Sequence, residues 1–137
     1  MKILIVNGPN MNLLGKRETQ IYGNVSFEEY LSHLKLSFPT ISLDYFQSNV
    51  EGELINALQQ TTANAIVLNA AGYTHTSVAL RDCISGIDIP VVEVHMSNIA
   101  ARETFRHESL ISPVCVGVIS GFGLNSYALA IKSFTDK

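Results

Sequence analysis

Glu93 and His95 stand two apart in the apolar run Val91-Val92-Glu93-Val94-His95-Met96-Ser97-Asn98, and they pair a carboxylate with an imidazole. On a strand, residues two apart point to one face, so Glu93 is placed to hydrogen-bond one ring nitrogen of His95 and orient the ring. Asn10, Arg17, Tyr22, Asn69, His75 and Ser97 are further groups able to bind a polar substrate or move a proton. His75, Asp82, Glu93 and His95 are also metal-ligand types. Yet there is no His-x-x-x-His, no Cys cluster and no dense carboxylate set, so neither a metal nor another cofactor is expected. Gly121-Phe122-Gly123 fits neither the dinucleotide fingerprint nor the P-loop, and no Gly-x-Ser-x-Gly elbow is present.

Chemistry from such scattered segments needs a scaffold that carries them to one edge. Lys2 to Val6 is an apolar strand, followed by a long loop from Asn7 to Asn24 punctuated by Gly8, Pro9, Gly15 and Gly23. Ser26-Phe27-Glu28-Glu29 has capping-box spacing and opens a helix with Phe27, Tyr30, Leu31 and Leu34 at helical intervals, ending before Pro39. Ile41 to Phe46 alternates as an edge strand. Ser48-Asn49-Val50-Glu51 is a second capping box, before Leu54, Ile55 and Leu58. Ala65 to Leu68 is a third strand, with the polar stretch Asn69 to Thr76 after it and then a helix that turns Val78, Leu80, Cys83 and Ile84 inward.

Pro90 introduces the fourth strand, and Ile99 to about Ser109 suggests a short helix carrying Arg102, Glu103, Arg106 and Glu108. Val114 to Ile119 is the fifth strand. A terminal helix from Leu124 to Phe134 has Leu124, Tyr127, Ala128 and Ile131 facing inward. Alternating strands and helices imply an α/β domain spanning 1–137, a three-layer flavodoxin-like fold with a five-stranded parallel sheet in order 2-1-3-4-5. In that topology the segments after strands one, three, four and five meet at the sheet's carboxyl edge, where open α/β folds bind ligands.

Composition narrows the function classes. Charged residues are only 15% and hydrophobic ones 47%, with a mean hydropathy of +0.22, which suggests a surface partly covered in an oligomer. The net charge is −3 and no basic run exceeds Lys16-Arg17, so no nucleic-acid partner is expected. No membrane segment is expected either, and the short apolar start ends in Asn7-Gly8-Pro9, unlike a signal peptide, which points to the cytoplasm. Cys83 and Cys115 suit buried reduced thiols. The alternative to an enzyme is a non-catalytic flavodoxin-like binding module.

Asn7-Gly8-Pro9-Asn10-Met11-Asn12-Leu13-Leu14-Gly15 with Arg17-Glu18 and Tyr22-Gly23 resembles the signature of the type II 3-dehydroquinate dehydratases. Tyr73-Thr74-His75-Thr76-Ser77-Val78-Ala79-Leu80-Arg81-Asp82, Glu93 to Asn98, and Arg102-Glu103-Thr104-Phe105-Arg106 resemble that family's later motifs in order. The resemblance implies anti elimination of water from 3-dehydroquinate through an enolate, giving 3-dehydroshikimate in the shikimate pathway. It makes Tyr22 the base, with Arg17 and Arg102 stabilising its phenolate, which a tyrosine scarcely populates unaided at neutral pH. It makes Asn10 the holder of a water at the enolate, and His95, oriented by Glu93, the acid. It assigns the substrate carboxylate to the amides of Met96 and Ser97, and its hydroxyls and ring to Asn69, His75 and Arg106. Asp82 would reach a neighbouring subunit's site in a dodecamer of four trimers, and the loop from about Lys16 to Gly23 would act as a lid. Thr19 stands where the family often has Pro, which leaves that loop less constrained.

Overall fold

The computed structural model describes residues 1–16 and 24–136. Five strands form one parallel sheet: β1 (Lys2–Asn7), β2 (Ser42–Gln47), β3 (Ala65–Asn69), β4 (Val91–His95) and β5 (Gly117–Ser120), in the order β2-β1-β3-β4-β5. This is the expected order, with β2 at an edge as its alternation implied. Asn7 lies level with both Gln47 and Asn69, and His95 with Ser120, so all five strands end at the same edge of the sheet.

Strand alternation builds two cores. Ile3, Ile5, Val67, Val92 and Val94 face one side and pack under α1 (Phe27–Ser37) and α4 (Asn125–Thr135). Leu4, Val6, Ile66, Leu68 and Val91 face the other, under α2 (Glu51–Gln60) and α3 (Val78–Gly86). With both faces covered, the inner strands β1, β3 and β4 are buried along nearly their whole length and mostly apolar. Glu93 and His95 share the second face, because each lies an even number of residues from Val91.

The caps explain where the helices begin. Ser26 Oγ accepts from Glu29 N at 3.2 Å and starts α1, with Glu28 and Glu29 in the first turn and Lys35 in the last, matching the helix dipole. Ser77 does the same for α3, accepting from Leu80 N at 2.9 Å; Leu80, Cys83 and Ile84 then point inward. Val78, expected inward, is 59% exposed because it occupies the first helical position. The second capping box is replaced by another arrangement: α2 is preceded by Val50, while the buried Ser48 hydroxyl accepts from Val50 N at 2.9 Å and bonds Glu53. On α4, Tyr127 and Ile131 are buried as expected, joined by Ser126, Ala130 and Phe134.

The segment after β4 departs most from expectation. In place of one charged helix it makes separate 3-10 turns at Ile99–Ala101 and Thr104–Arg106, then Ser112–Val114. It has no apolar stripe to bury, and Phe105 is 63% exposed, so one local and one long-range hydrogen bond decide its path. Asn98 Oδ1 accepts from Ala100 N at 3.1 Å, and Leu110 N donates to Thr74 O at 2.9 Å. Pro113 lies within the last turn, so β5 begins at Gly117 instead of Val114. No helix among the described residues is long and apolar enough to cross a membrane.

Candidate active site

The carboxyl edge opens into a cleft. From the end of β1, Gly8 N donates to Asn69 O at 2.7 Å, so closely that a Cβ on Gly8 would lie 2.5 Å from Ala70 O. The chain then turns through Asn10, left-handed at φ 70°, a conformation Asn tolerates well. Asn49 Oδ1, beyond β2, accepts from Asn10 N at 2.9 Å and fixes this turn.

Asn69 ends β3 and is 4% exposed. Its Oδ1 accepts from Ala71 N at 3.1 Å, holding Ala71 at φ 52°, and its Nδ2 donates to Tyr127 Oη at 2.9 Å and lies 3.7 Å from Met11 Sδ. Tyr127 Oη donates in turn to Asn7 Oδ1 at 2.7 Å, and Asn7 Nδ2 donates to Tyr45 Oη at 3.3 Å. Burial holds the Tyr127 hydroxyl far above its ordinary range, so it stays neutral and serves as both donor and acceptor. This chain of four side chains ties α4 to the ends of β1 and β3.

Two histidines face each other across the cleft, their rings stacked at 6.4 Å and 22°. His75 Nδ1 contacts the Glu108 carbonyl at 2.7 Å; a carbonyl only accepts, so this nitrogen carries the proton and, in the neutral ring, Nε2 is an acceptor. His95 is held in the opposite sense, its Nε2 on the fully buried Glu93 carboxylate, which leaves Nδ1 for the cleft. Ser109 Oγ, at 2.9 Å, and Ser112 Oγ also donate to that carboxylate. Burial alone would raise the Glu93 pKa, but the hydrogen bonds from His95, Ser112 and Ser109 and the His95 charge outweigh it and hold the group below its ordinary value. Glu93 is therefore an anion at neutral pH, compensated in place. Nearby, burial and the Glu93 charge push the Cys115 thiol up to about 12, so it is a neutral neighbour; Cys83 is a buried thiol, also raised by burial.

The mouth is cationic. Arg102 Nη1 donates to Ser97 Oγ at 3.3 Å and its Nε lies 3.8 Å from Glu103. Arg106 Nε donates to Glu103 Oε2 at 3.0 Å, with its guanidinium 4.9 Å above the Phe105 ring. These fixed charges suit an anionic small molecule.

The sequence model of the family described as dehydroquinase class II matches residues 1–135. The chain belongs to this family. It is 54% identical to the 3-dehydroquinate dehydratase of an Exiguobacterium species, over 99% of this chain and 95% of that protein. A Campylobacter jejuni protein of the same name is 52% identical, over 96% of this chain and 85% of its own length. Among solved structures, the type II dehydroquinase of Butyrivibrio crossotus superposes with a TM-score of 0.95 at 42% identity, covering 98% of this chain and 97% of its own. That of Propionibacterium acnes gives 0.91 at 34% identity, covering 99% and 97%. The binding-module alternative is not favoured.

Within this class II dehydroquinase fold, the cleft gathers most of the residues singled out in the sequence. Asn10, Asn69, His75 and His95 line it, as do Met96, Ser97, Arg102 and Arg106, with Glu93 directly behind His95. Asp82 is on α3, exposed and outside the cleft of its own chain. Arg17, Tyr22 and most of the expected lid lie outside the described residues. Tyr127, Asn49, Ser109 and Ser112 escaped the sequence reading. Tyr127 had read as core only, and nothing in local spacing marks the other three.

Proposed function

We propose that this chain is a 3-dehydroquinate dehydratase, removing water from 3-dehydroquinate in the anti sense to give 3-dehydroshikimate, in the shikimate pathway. The observation that carries this reading is the His95–Glu93 pair, buried behind a cationic cleft in a class II dehydroquinase fold.

Tyr22, as its phenolate beside Arg17 and Arg102, takes the proton from C2. The electron pair moves into the ketone as an enolate, whose oxygen is met by a water held at Asn10. Collapse of the enolate breaks the C1–O bond, and His95 delivers its Nδ1 proton to the leaving oxygen, so that water departs. Glu93 is the fixed anion that compensates the imidazolium before transfer. The substrate carboxylate lies on the amides of Met96 and Ser97. His75 Nε2 accepts from a ring hydroxyl, and Arg106 and Asn69 hold the rest; Asn69 Nδ2 can exchange its weak Met11 contact for a substrate oxygen. Residues 16–23 close over the enolate as a lid. No cofactor takes part.

The working form in this reading is a cytoplasmic homododecamer of four trimers, with Asp82 completing a neighbour's site. Its support is the low charge content and the exposure of Val116, Val118 and Phe122. The test is ultraviolet absorbance of the conjugated enone on adding 3-dehydroquinate. Wild type forms it, and Tyr22→Phe and His95→Ala nearly abolish it. A folded, oligomeric wild type that forms no enone would overturn the proposal.

A further inference from the structure

Both cleft histidines are held from behind by one short stretch, residues 108–112. The Glu108 carbonyl engages His75, while Ser109 and Ser112 donate to the carboxylate that engages His95. The stretch is itself pinned. Leu110 N donates to Thr74 O at 2.9 Å, Arg81 Nη1 to Leu110 O at 2.8 Å, and Ser109 Oγ accepts from Ser112 N at 3.1 Å. The donors divide between the Glu93 oxygens: His95 and Ser109 on Oε2, Ser112 on Oε1.

We propose that Ser109 and Ser112 are positioning residues for the dehydration, acting through Glu93 to keep the shared proton on His95 Nε2. The inference rests on the function proposed above. A hydroxyl that donates to a carboxylate favours it over the carboxylic acid. With the proton on the ring, His95 is an imidazolium and its Nδ1–H is a competent acid toward a leaving hydroxyl. With the proton on Glu93 the ring is neutral, and a neutral imidazole gives up its remaining proton far less readily. Two hydroxyls thus favour the form in which the proton is on the ring when substrate arrives. The other titratable or charged groups around the pair are Cys115, a neutral thiol, His75, stacked on His95, and Arg102 and Arg106 at the mouth.

The test is the pH dependence of kcat for Ser109→Ala and Ser112→Ala, with Ser109→Thr and Ser112→Thr beside them. Each alanine variant should lose about tenfold or more in kcat, the scale of one hydrogen bond to a charged group, with KM within about twofold. The acid limb of the profile should move to higher pH, because Glu93 protonates more readily, and the threonine variants should restore both. Where an alanine variant fails to fold, the cysteine variant at the same position, near in size with a weaker donor, must show the same upward displacement. An unchanged acid limb in folded variants, whether kcat is retained or lost evenly at every pH, overturns the inference. An inactive wild type would instead overturn the function on which it rests.

Discussion

Tyr127→Phe removes one oxygen and leaves the ring that packs edge-on against Phe27 at 4.9 Å. The packing term is therefore nearly unchanged, and the hydroxyl is isolated. Its loss leaves Asn7 Oδ1 and Asn69 Nδ2 short of a partner at sites 0% and 4% exposed. Each such orphan costs about 1–3 kcal/mol, and partial relaxation toward Met11 reduces the Asn69 share, so the total is about 3 kcal/mol. For a chain of this length that is a fall in Tm of roughly 10 °C. The assay is thermal unfolding by circular dichroism at matched protein concentration, since assembly also raises Tm. A cycle with Asn7→Ala should return a coupling energy of about 1 kcal/mol or more. Because Asn69 also holds the Ala71 turn at the cleft, KM for 3-dehydroquinate should rise several-fold. A Tm within about 2 °C of wild type, with no coupling to Asn7, would refute the claim that this network braces the cleft.

Acid should unfold the protein partly through Glu93. Its carboxyl is depressed in the folded state, so its stabilisation is complete above the ordinary carboxylate value of ~4.3 and is lost as pH falls through the lower folded value. Glu93→Gln should be less stable than wild type at pH 7 and show a shallower loss of Tm on acidification; parallel curves would contradict the assignment. Gly8→Ala forces a Cβ against the Ala70 backbone and should cost about 3 kcal/mol or prevent folding, whereas Gly52→Ala, with nothing within 4 Å of the new methyl, should gain about 0.5 kcal/mol; denaturant titrations compare the two. Sedimentation should give a mass far above 15.0 kDa, and Asp82→Ala should lower kcat/KM while leaving the Glu93-dependent acid unfolding unchanged; an active monomer at micromolar concentration would contradict the assembly.

The fold was legible because its signals are local. β-branched runs bounded by Gly, Pro and Asn mark strands, and alternation with helices leaves few parallel topologies. The same logic found the cleft, since a parallel sheet sends every strand's last residues to one edge. It failed at Ile99 to Ser109, where charges at helical spacing had no apolar face to support them. There the path is set by a local bond from Ala100 N to Asn98 and by bonds joining Leu110 to Thr74 and Arg81, which no short window of the sequence contains. The site divides the same way. Glu93 and His95 could be paired from spacing because two residues on a strand must share a face. What makes the pair chemically definite is out of reach of spacing: Ser109 and Ser112 lie 16 and 19 residues on, and Tyr127 meets Asn7 across 120. A hydroxyl's periodicity is identical whether it is solvated or spent on a buried carboxylate. The residues that line the cleft therefore announce themselves by type and position, whereas those that hold them from behind emerge only once the chain has closed on itself.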